Sequence, residues 1–350
     1  MSSMSLSHLD KYALLFVMFC TTISGLATAA ESGVQQTNIH QLLDKKHQIL
    51  HSINDIPPPE TAAAIKPWLA KFSSTNKVSL TGGTYWYHLS IPAQVNSAQW
   101  VVDITNSIVE DIDFYLYDQS KREHYPSGYY QENEYMFHYG RTLTLEANTP
   151  YELLVRLDSR YYASQPRLEI YTQYSYRKVI LFNNVIMIAS LGALLALGLY
   201  NLFVYAGSRE KSHLYYALYL FTYFAGWALV FQVPNNLYEL RILELTYIPF
   251  FILPLVGAYF CTTFLQLELH QPKLARILKI NGFVSLALSP VAVFFIGYAN
   301  SLATITIGAW IMMAIVAGIK SWHSGFRPAV YFLLAFVALL IPACFILPAN

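Results

Sequence analysis

The chain has 350 residues, of which 55% are hydrophobic and only 12% are charged, about half the charged fraction of an ordinary soluble domain. Its net charge of +1, with no basic stripe in the sequence, excludes nucleic acid as a partner. The charges are concentrated before residue 179, and uncharged stretches of membrane length dominate after it. The composition therefore predicts one soluble domain followed by one membrane domain.

Residues 1–30 have the pattern of a secretory signal peptide. Lys11 supplies the positive charge, an apolar run follows it, and the small residues Ala27 to Ala29 offer a cleavage site. An uncleaved membrane anchor is the alternative, and in both cases the residues after 30 are exported. The three cysteines lie outside residues 31–178, so no disulfide framework is expected in the soluble domain.

Residues 31–80 are predicted to form a helical N-terminal segment. Apolar residues between Gln36 and Ile53 recur at helical spacing. The prolines of IPPPE then interrupt this first helix. A second, shorter helix is predicted after them, with one apolar face made of Ile65, Trp68, Leu69 and Phe72.

Residues 81–178 are predicted to form an exported all-β, jelly-roll-like sandwich. The hydrophobic period changes to two in TYWYHLSI, QWVVDIT, EDIDFYLYD, RTLTLE, YELLVRLD and RLEIYT. About seven short strands separated by turns are typical of an antiparallel sandwich. The sequence contains none of the common catalytic motifs and no cysteine pair at zinc spacing. We therefore expect no enzymatic activity, no cofactor and no metal.

Residues 179–350 are predicted to form an all-α transmembrane bundle of six helices. A span needs about 20 residues, so the 40-residue uncharged run from Ile280 to Ile319 is interpreted as two spans. The turn between these two spans is placed at Gly297 to Ser301. The predicted spans cover residues 179–206, 213–233, 245–267, 280–296, 302–319 and 328–348.

The distribution of charge predicts how the bundle is oriented. Seven Lys and Arg residues lie in the connections that follow spans one, three and five, whereas only Arg241 lies between spans on the other side. Positive residues favour the cytoplasmic side, which agrees with export of the soluble domain. No Asp, Glu, Lys or Arg lies inside a predicted span, which argues against a pump or an ion-coupled transporter.

Six residues of the sandwich are predicted to line a ligand patch. Arg156 and Asp158 share the less apolar face of the strand YELLVRLD, and Trp86 and His88 share the corresponding face of the first strand. An Arg fork can hold a carboxylate or sugar hydroxyls, and an aromatic face can stack on a ring. A structural interpretation stays open, with Arg156 and Asp158 as a surface ion pair and Trp86 capping the core. The predicted patch consists of Trp86, His88, Arg156, Asp158, Tyr161 and Tyr162.

The order of these parts resembles a known family. YWYHLSI opens the sandwich, LYNLFVY and LYYALY flank the first connection of the bundle, and FLQLELHQPKLARILK and GFRPAVYFLLAF follow. Over roughly residues 80 to 350 the chain is similar to the bacterial seven-transmembrane receptors with diverse intracellular signalling modules (7TMR-DISM). The sandwich resembles their type 2 extracellular domain.

The resemblance implies a sensory receptor in the bacterial inner membrane, with the N-terminal domain in the periplasm and the spans in contact with membrane lipids. The sandwich would bind a small periplasmic ligand, with carbohydrate as one candidate. The bundle would signal to a cytoplasmic effector, a diguanylate cyclase or a histidine kinase. Because the family has seven spans and an effector, the chain is expected to be truncated before the seventh span.

Other interpretations stay open. Effectors of both kinds work as dimers, so the resemblance allows a homodimer. An integral membrane transporter or enzyme with an exported accessory domain is the main alternative function. A carbohydrate-binding or adhesion module that the membrane merely anchors is the third, although a single span would be enough for it.

Overall fold

The computed structural model describes residues 48–52, 56–93, 98–105, 107–118 and 120–335. The predicted signal peptide and most of the sixth predicted span lie outside these residues. The described chain divides into two compact units. The sandwich unit contains the described residues up to Asn184 together with Val230–Leu243, and the helical unit contains Val185–Leu229 and residues 244–335.

Nine strands, all paired antiparallel, form two sheets within the described part of the sandwich unit. The six-stranded sheet has the order β2-β1-β3-β8-β5-β6, and the three-stranded sheet has the order β7-β4-β9. The strands are β1 (Gln48–Ser52), β2 (Ser73–Thr75), β3 (Gly83–Ile91), β4 (Ala98–Thr105), β5 (Asp111–Tyr117), β6 (Arg122–Ser127), β7 (Arg141–Leu145), β8 (Tyr151–Ser159) and β9 (Arg167–Thr172).

The main core lies between the two sheets and follows the predicted alternation. Successive side chains of a strand point to opposite faces, so every second residue of β3, β4, β5 and β8 enters this core. The antiparallel sandwich is therefore confirmed. The core residues of these four strands are Tyr85, Tyr87, Leu89, Ile91, Trp100, Val102, Ile104, Ile112, Phe114, Leu116, Tyr151, Leu153, Val155 and Leu157.

The helical prediction for residues 31–80 is wrong at Gln48–Ser52 and at Ser73–Thr75, which form β1 and β2. β1 pairs with β3, with Leu50 opposite Trp86. The apolar residues Ile49 and Leu50 fit a short strand as well as a helix, and pairing with the distant strand β3 decides between them. The second predicted helix is present as α1 (Ile65–Leu69), after a 3₁₀ turn at Ala62–Ala64.

Residues 56–72, here called the N-terminal cover, pack on the outer face of the six-stranded sheet. Trp68 lies edge-on to Trp86 with ring centroids 4.8 Å apart, and its indole donates to Pro57 O at 2.9 Å. The Tyr117 hydroxyl donates to Pro59 O at 2.8 Å. The cover thereby creates a second, smaller core, which also contains Leu50, Ile65 and Leu154.

The first long helix, α2 (Gln173–Ser208), begins directly after β9 without a linker. The Ser175 N–H donates to Thr172 Oγ1 at 3.3 Å, an N-cap arrangement. The later helices are α3 (Lys211–Val230), α4 (Val233–Tyr238), α5 (Ile248–Phe264), α6 (Leu267–His270), α7 (Pro272–Ala287), α8 (Pro290–Phe294), α9 (Ile296–His323) and α10, described over residues 329–335.

Four helical stretches among the described residues are long and apolar enough to cross a membrane: Gln173–Ser208, Leu243–Phe264, Pro272–Phe294 and Ile296–His323. They overlap the first, third, fourth and fifth predicted spans. The second predicted span overlaps α3, whose tyrosines lower its hydropathy. The sixth predicted span is described only at its beginning, where α10 starts.

The turn predicted at Gly297 to Ser301 is wrong, because these residues lie inside α9. The chain breaks instead at Phe295, which has φ −137° and ψ 59°. Pro290 stands in the first turn of α8, where its missing N–H costs little. The turn-forming composition of GYANS is overridden by packing, since Ala299 in its middle is fully buried.

Candidate functional site

The outer face of the six-stranded sheet brings together four of the six predicted site residues. Strand register places Trp86 opposite Arg156 and His88 opposite Leu154 on neighbouring strands. Residues directly opposite each other in an antiparallel pair project from the same face. Asp158 lies two residues beyond Arg156 in β8, so it shares that face as well.

Arg156 is the centre of a polar cluster on this face. Its Nη2 lies 2.7 Å from Asp158 Oδ2 and its Nη1 lies 3.3 Å from Asp113 Oδ2. The guanidinium therefore bridges carboxylates on two neighbouring strands. Its side chain is 18% exposed, so the bridge is partly open to solvent.

Three further residues complete this cluster. The Thr84 hydroxyl donates to Asp158 Oδ1 at 3.1 Å, and His124 Nε2 lies 2.7 Å from Asp113 Oδ1. Asp111 stands opposite Asp158 in the register of β5 and β8. We call this set the polar strip; it consists of Thr84, Asp111, Asp113, His124, Arg156 and Asp158.

An aromatic surface borders the polar strip. The ring of Tyr115 stacks on His124 with centroids 4.7 Å apart and planes 12° apart. On the same ring, Trp86 lies 6.1 Å away and the Arg122 guanidinium 5.9 Å away. Polar groups beside a flat aromatic surface are the combination with which a protein holds a ring that carries hydroxyls.

Trp86 itself lies beneath the N-terminal cover, because it is 1% exposed and packs in the smaller core. His88 bonds Glu152 Oε2 at 2.8 Å, away from Arg156. Trp86 therefore packs against a core, as the structural interpretation predicts. Arg156 and Asp158 form the ion pair that the same interpretation predicts. The polar strip is partly exposed on this face and contains two of the six predicted residues, Arg156 and Asp158.

Tyr161 and Tyr162 do not join this face, and their assignment to the patch is corrected. Both are 1% exposed. Tyr162 belongs to the main core between the sheets and donates its hydroxyl to Gly83 O at 2.8 Å. They follow the end of β8, where the chain turns and the alternation of the strand no longer sets their direction.

The polar strip carries an excess of negative charge. One guanidinium stands against three carboxylates, those of Asp111, Asp113 and Asp158, which leaves two net negative charges. Burial raises the pKa of Asp111, the neighbouring charges of Asp113 and Asp158 raise it further, and Arg156 opposes this effect. In the described part of the chain no group of three or more His, Cys, Asp or Glu side chains is arranged to hold a metal ion.

Removing the guanidinium tests this charge arrangement. Arg156→Gln is expected to destabilise the sandwich by about 1–3 kcal/mol at pH 7, because Asp113 and Asp158 lose the cation to which they are hydrogen-bonded and Asp111 loses a nearby positive charge. The loss should shrink toward pH 4, because Asp111, whose pKa is raised, becomes protonated and no longer repels its neighbours. Chemical unfolding at both pH values measures this loss of stability. Arg156→Lys, which keeps the positive charge, is the control. An equal loss at both pH values would contradict the arrangement.

A second polar region joins Val230–Leu243, here called the outer loop, to the segment before β7 within the sandwich unit. Gln232 Nε2 donates to Tyr139 Oη at 2.6 Å, and Asn235 Nδ2 donates to Tyr129 O at 2.9 Å. Asn236 Oδ1 accepts from Phe137 N at 3.0 Å. The tyrosine-rich sequence before β7 thus serves to bind the outer loop.

Sequence reasoning missed four members of the polar strip, which are Thr84, Asp111, Asp113 and His124. The signal for the two aspartates was present, because EDIDFYLYD alternates them with the core residues Ile112 and Phe114. Their distance to Arg156 depends on the pairing of β5 with β8, which the sequence does not reveal. His124 lies on β6, a strand without clear alternation.

Comparison with known families gives two matches. The model described as 7TM diverse intracellular signalling matches residues 183–350, and the model described as 7TMR-DISM extracellular 2 matches residues 38–172. No curated protein matches the chain. Among solved structures, a β-glucosidase from Kluyveromyces marxianus in complex with glucose is 9% identical with a TM-score of 0.19. The match covers 43% of this chain and 17% of that enzyme.

Proposed function

Since the chain belongs to the seven-transmembrane receptors with diverse intracellular signalling modules, with their type 2 extracellular domain, we propose that its sandwich detects a small ligand at the polar strip. The chain is a multi-pass membrane protein and a sensory receptor. The family match begins at residue 38, so the extracellular domain includes β1 and the N-terminal cover as well as the predicted sandwich.

One observation carries the choice of site. The polar strip holds the partly exposed Arg156 guanidinium between two carboxylates, and the ring of Tyr115 stacks on His124 of the same strip. Trp86 and Leu154 on the same face are covered by the N-terminal cover. Charged side chains fixed by one another and left open to solvent are ready to bond a ligand at little cost in conformational entropy.

The charge of the strip favours a neutral ligand that is rich in hydroxyls. Arg156 already bridges two carboxylates, and the net negative charge of the strip would repel an acidic ligand. Carboxylates accept hydrogen bonds from hydroxyls, and the guanidinium donates to them. A carbohydrate satisfies both kinds of group and can also stack on an aromatic ring, so we propose a small saccharide.

We further propose that the sandwich lies in the periplasm of a bacterium and that the spans cross its inner membrane. The outer loop belongs to the same compact unit as the sandwich, which supports a location on the same side of the membrane. The chain itself is proposed to have no catalytic activity. It would pass its signal to a diguanylate cyclase or a histidine kinase, with a homodimer as the working form.

Ligand binding is tested with the full chain in lipid nanodiscs. A panel of neutral mono- and disaccharides is expected to contain a compound that raises the melting temperature, whereas dicarboxylates of similar size should have no effect. Asp158→Asn is expected to weaken saccharide binding about tenfold or more, because a charge-assisted hydrogen bond is worth about 1.5–3 kcal/mol.

Glu146→Gln is the matched control, since it removes one exposed carboxylate elsewhere on the sandwich. It should bind the saccharide like the parent chain. Stabilisation by dicarboxylates alone, or an equal response of the two variants, would show that the polar strip is not the binding site.

A further inference from the structure

We propose that Asp103 is a proton-responsive switch that couples the three-stranded sheet to the first turn of α2. This role is separate from ligand binding at the polar strip, which lies on the other sheet. A change of external pH would then be a second input to the receptor. The proposal rests on the burial of one carboxyl group, its hydrogen bonds and the absence of a linker between β9 and α2.

Asp103 is buried without a compensating charge. It lies on β4 and is 1% exposed. Its Oδ2 accepts a hydrogen bond from the Tyr176 hydroxyl at 2.8 Å, while its Oδ1 has no hydrogen-bond partner among the described residues. Among the described residues, no Lys, Arg or His forms an ion pair with Asp103. A buried carboxylate that has only neutral donors is poorly stabilised, so the site favours the protonated form.

The groups around Asp103 reinforce this preference. Glu169 stands opposite it on β9 and contributes like charge. Tyr176 lies in the first turn of α2, and the ring of His138 lies 6.2 Å from that of Tyr176. Burial lowers the pKa of His138, so this side chain supplies no cation near neutral pH. The other titratable groups that face the site are Tyr135, Tyr139 and Tyr171.

These surroundings bring the titration of Asp103 into the physiological range. Burial raises the pKa of its carboxyl to about 7, with the Tyr176 hydrogen bond opposing the increase and Glu169 adding to it. An ordinary aspartate titrates near 3.9. The charge at Asp103 therefore changes between mildly acid and mildly alkaline conditions.

The packing around Asp103 links its ionisation to the position of α2. An ionised Asp103 needs water or a cation, and the Tyr176 ring that closes the site has little room to move. A Cβ atom at Gly140 would lie only 2.7 Å from Tyr176 Cζ. Because β9 ends at Thr172 and α2 begins at Gln173, opening of the site must displace the first turn of α2.

The test uses the full chain in nanodiscs, with the native cysteines replaced and a nitroxide label at Tyr174→Cys. Tyr174 is 71% exposed and lies in the same helical turn as Tyr176, so the label reports on that turn. Its electron paramagnetic resonance spectrum is expected to change between pH 5 and pH 9 with a midpoint near 7. Asp103→Asn should hold the low-pH spectrum at every pH.

Two variants should shift the midpoint in opposite directions. Glu169→Gln removes a like charge and should lower the midpoint, whereas Tyr176→Phe removes the donor that favours the carboxylate and should raise it. His138→Gln should leave it unchanged. A spectrum without a pH-dependent transition, or one that still titrates in Asp103→Asn, would overturn the proposal. If Asp103→Asn fails to fold, a midpoint that does not move in Glu169→Gln and Tyr176→Phe would overturn it equally.

Discussion

Trp86→Ala is expected to destabilise the sandwich unit by about 3–5 kcal/mol, the usual cost of truncating a buried Trp. Trp86 is 1% exposed and joins β3 to the N-terminal cover through its contact with Trp68. The measurement is guanidinium unfolding of the full chain in detergent, read by proteolytic cleavage of the sandwich. Residues 56–72 should become susceptible to protease first, since they lose their main anchor.

Two further variants make this result specific. Ser90→Ala changes an exposed residue of the same strand whose hydroxyl donates to Glu152 Oε2, and it should cost only about 0.5–1.5 kcal/mol, the usual net value of one hydrogen bond. Trp68→Ala removes the partner ring, and its effect should not add fully to that of Trp86→Ala, because residues in contact are coupled. Full additivity, or a Trp86→Ala chain as stable as Ser90→Ala, would contradict the packing of the cover.

Gly82→Ala is expected to cost more than Gly83→Ala, although both glycines have positive φ. The φ values are +98° at Gly82 and +126° at Gly83, so both substitutions introduce backbone strain of about 1–3 kcal/mol. A Cβ at Gly82 would also lie 2.7 Å from Ser159 O and closer still to Arg160 O, whereas at Gly83 the nearest atom is 3.4 Å away.

The difference between these two variants isolates the steric conflict. Overpacking typically adds about 1–3 kcal/mol, so Gly82→Ala should lose roughly twice as much stability as Gly83→Ala. Guanidinium midpoints of the two variants, measured side by side, give this difference. Equal midpoints would mean that the turn before β3 can move away from the end of β8.

The alternation of residues along β3, β4, β5 and β8 predicted the main core because a strand that buries one face repeats its apolar residues with a period of two. The same rule placed Arg156 and Asp158 on the outer face. It failed at β1, where the apolar residues fit a helix equally well. The strand forms because β3 provides a partner more than thirty residues later in the chain.

The site was less predictable than the core. Alternation assigns Trp86 to the outer face of its sheet, but it cannot indicate that residues 56–72 cover that face. Likewise, Asp103 is polar within a strand and would be read as exposed, whereas the first turn of α2 buries it. Both residues lie under a second layer added to the sandwich, and packing between distant segments leaves no local pattern in the sequence.

The six-stranded sheet is apolar on both of its sides around Trp86 and Leu154, and this limits where the domain can be cut. A fragment that begins at residue 81 would lack β1, β2 and the cover. The nine residues of β3 would then form a free sheet edge with unpaired backbone groups beside an exposed indole. Long, apolar edges of this kind recruit strands from other molecules. We therefore expect the N-terminal segment to protect the receptor domain from aggregation as well as to complete its fold.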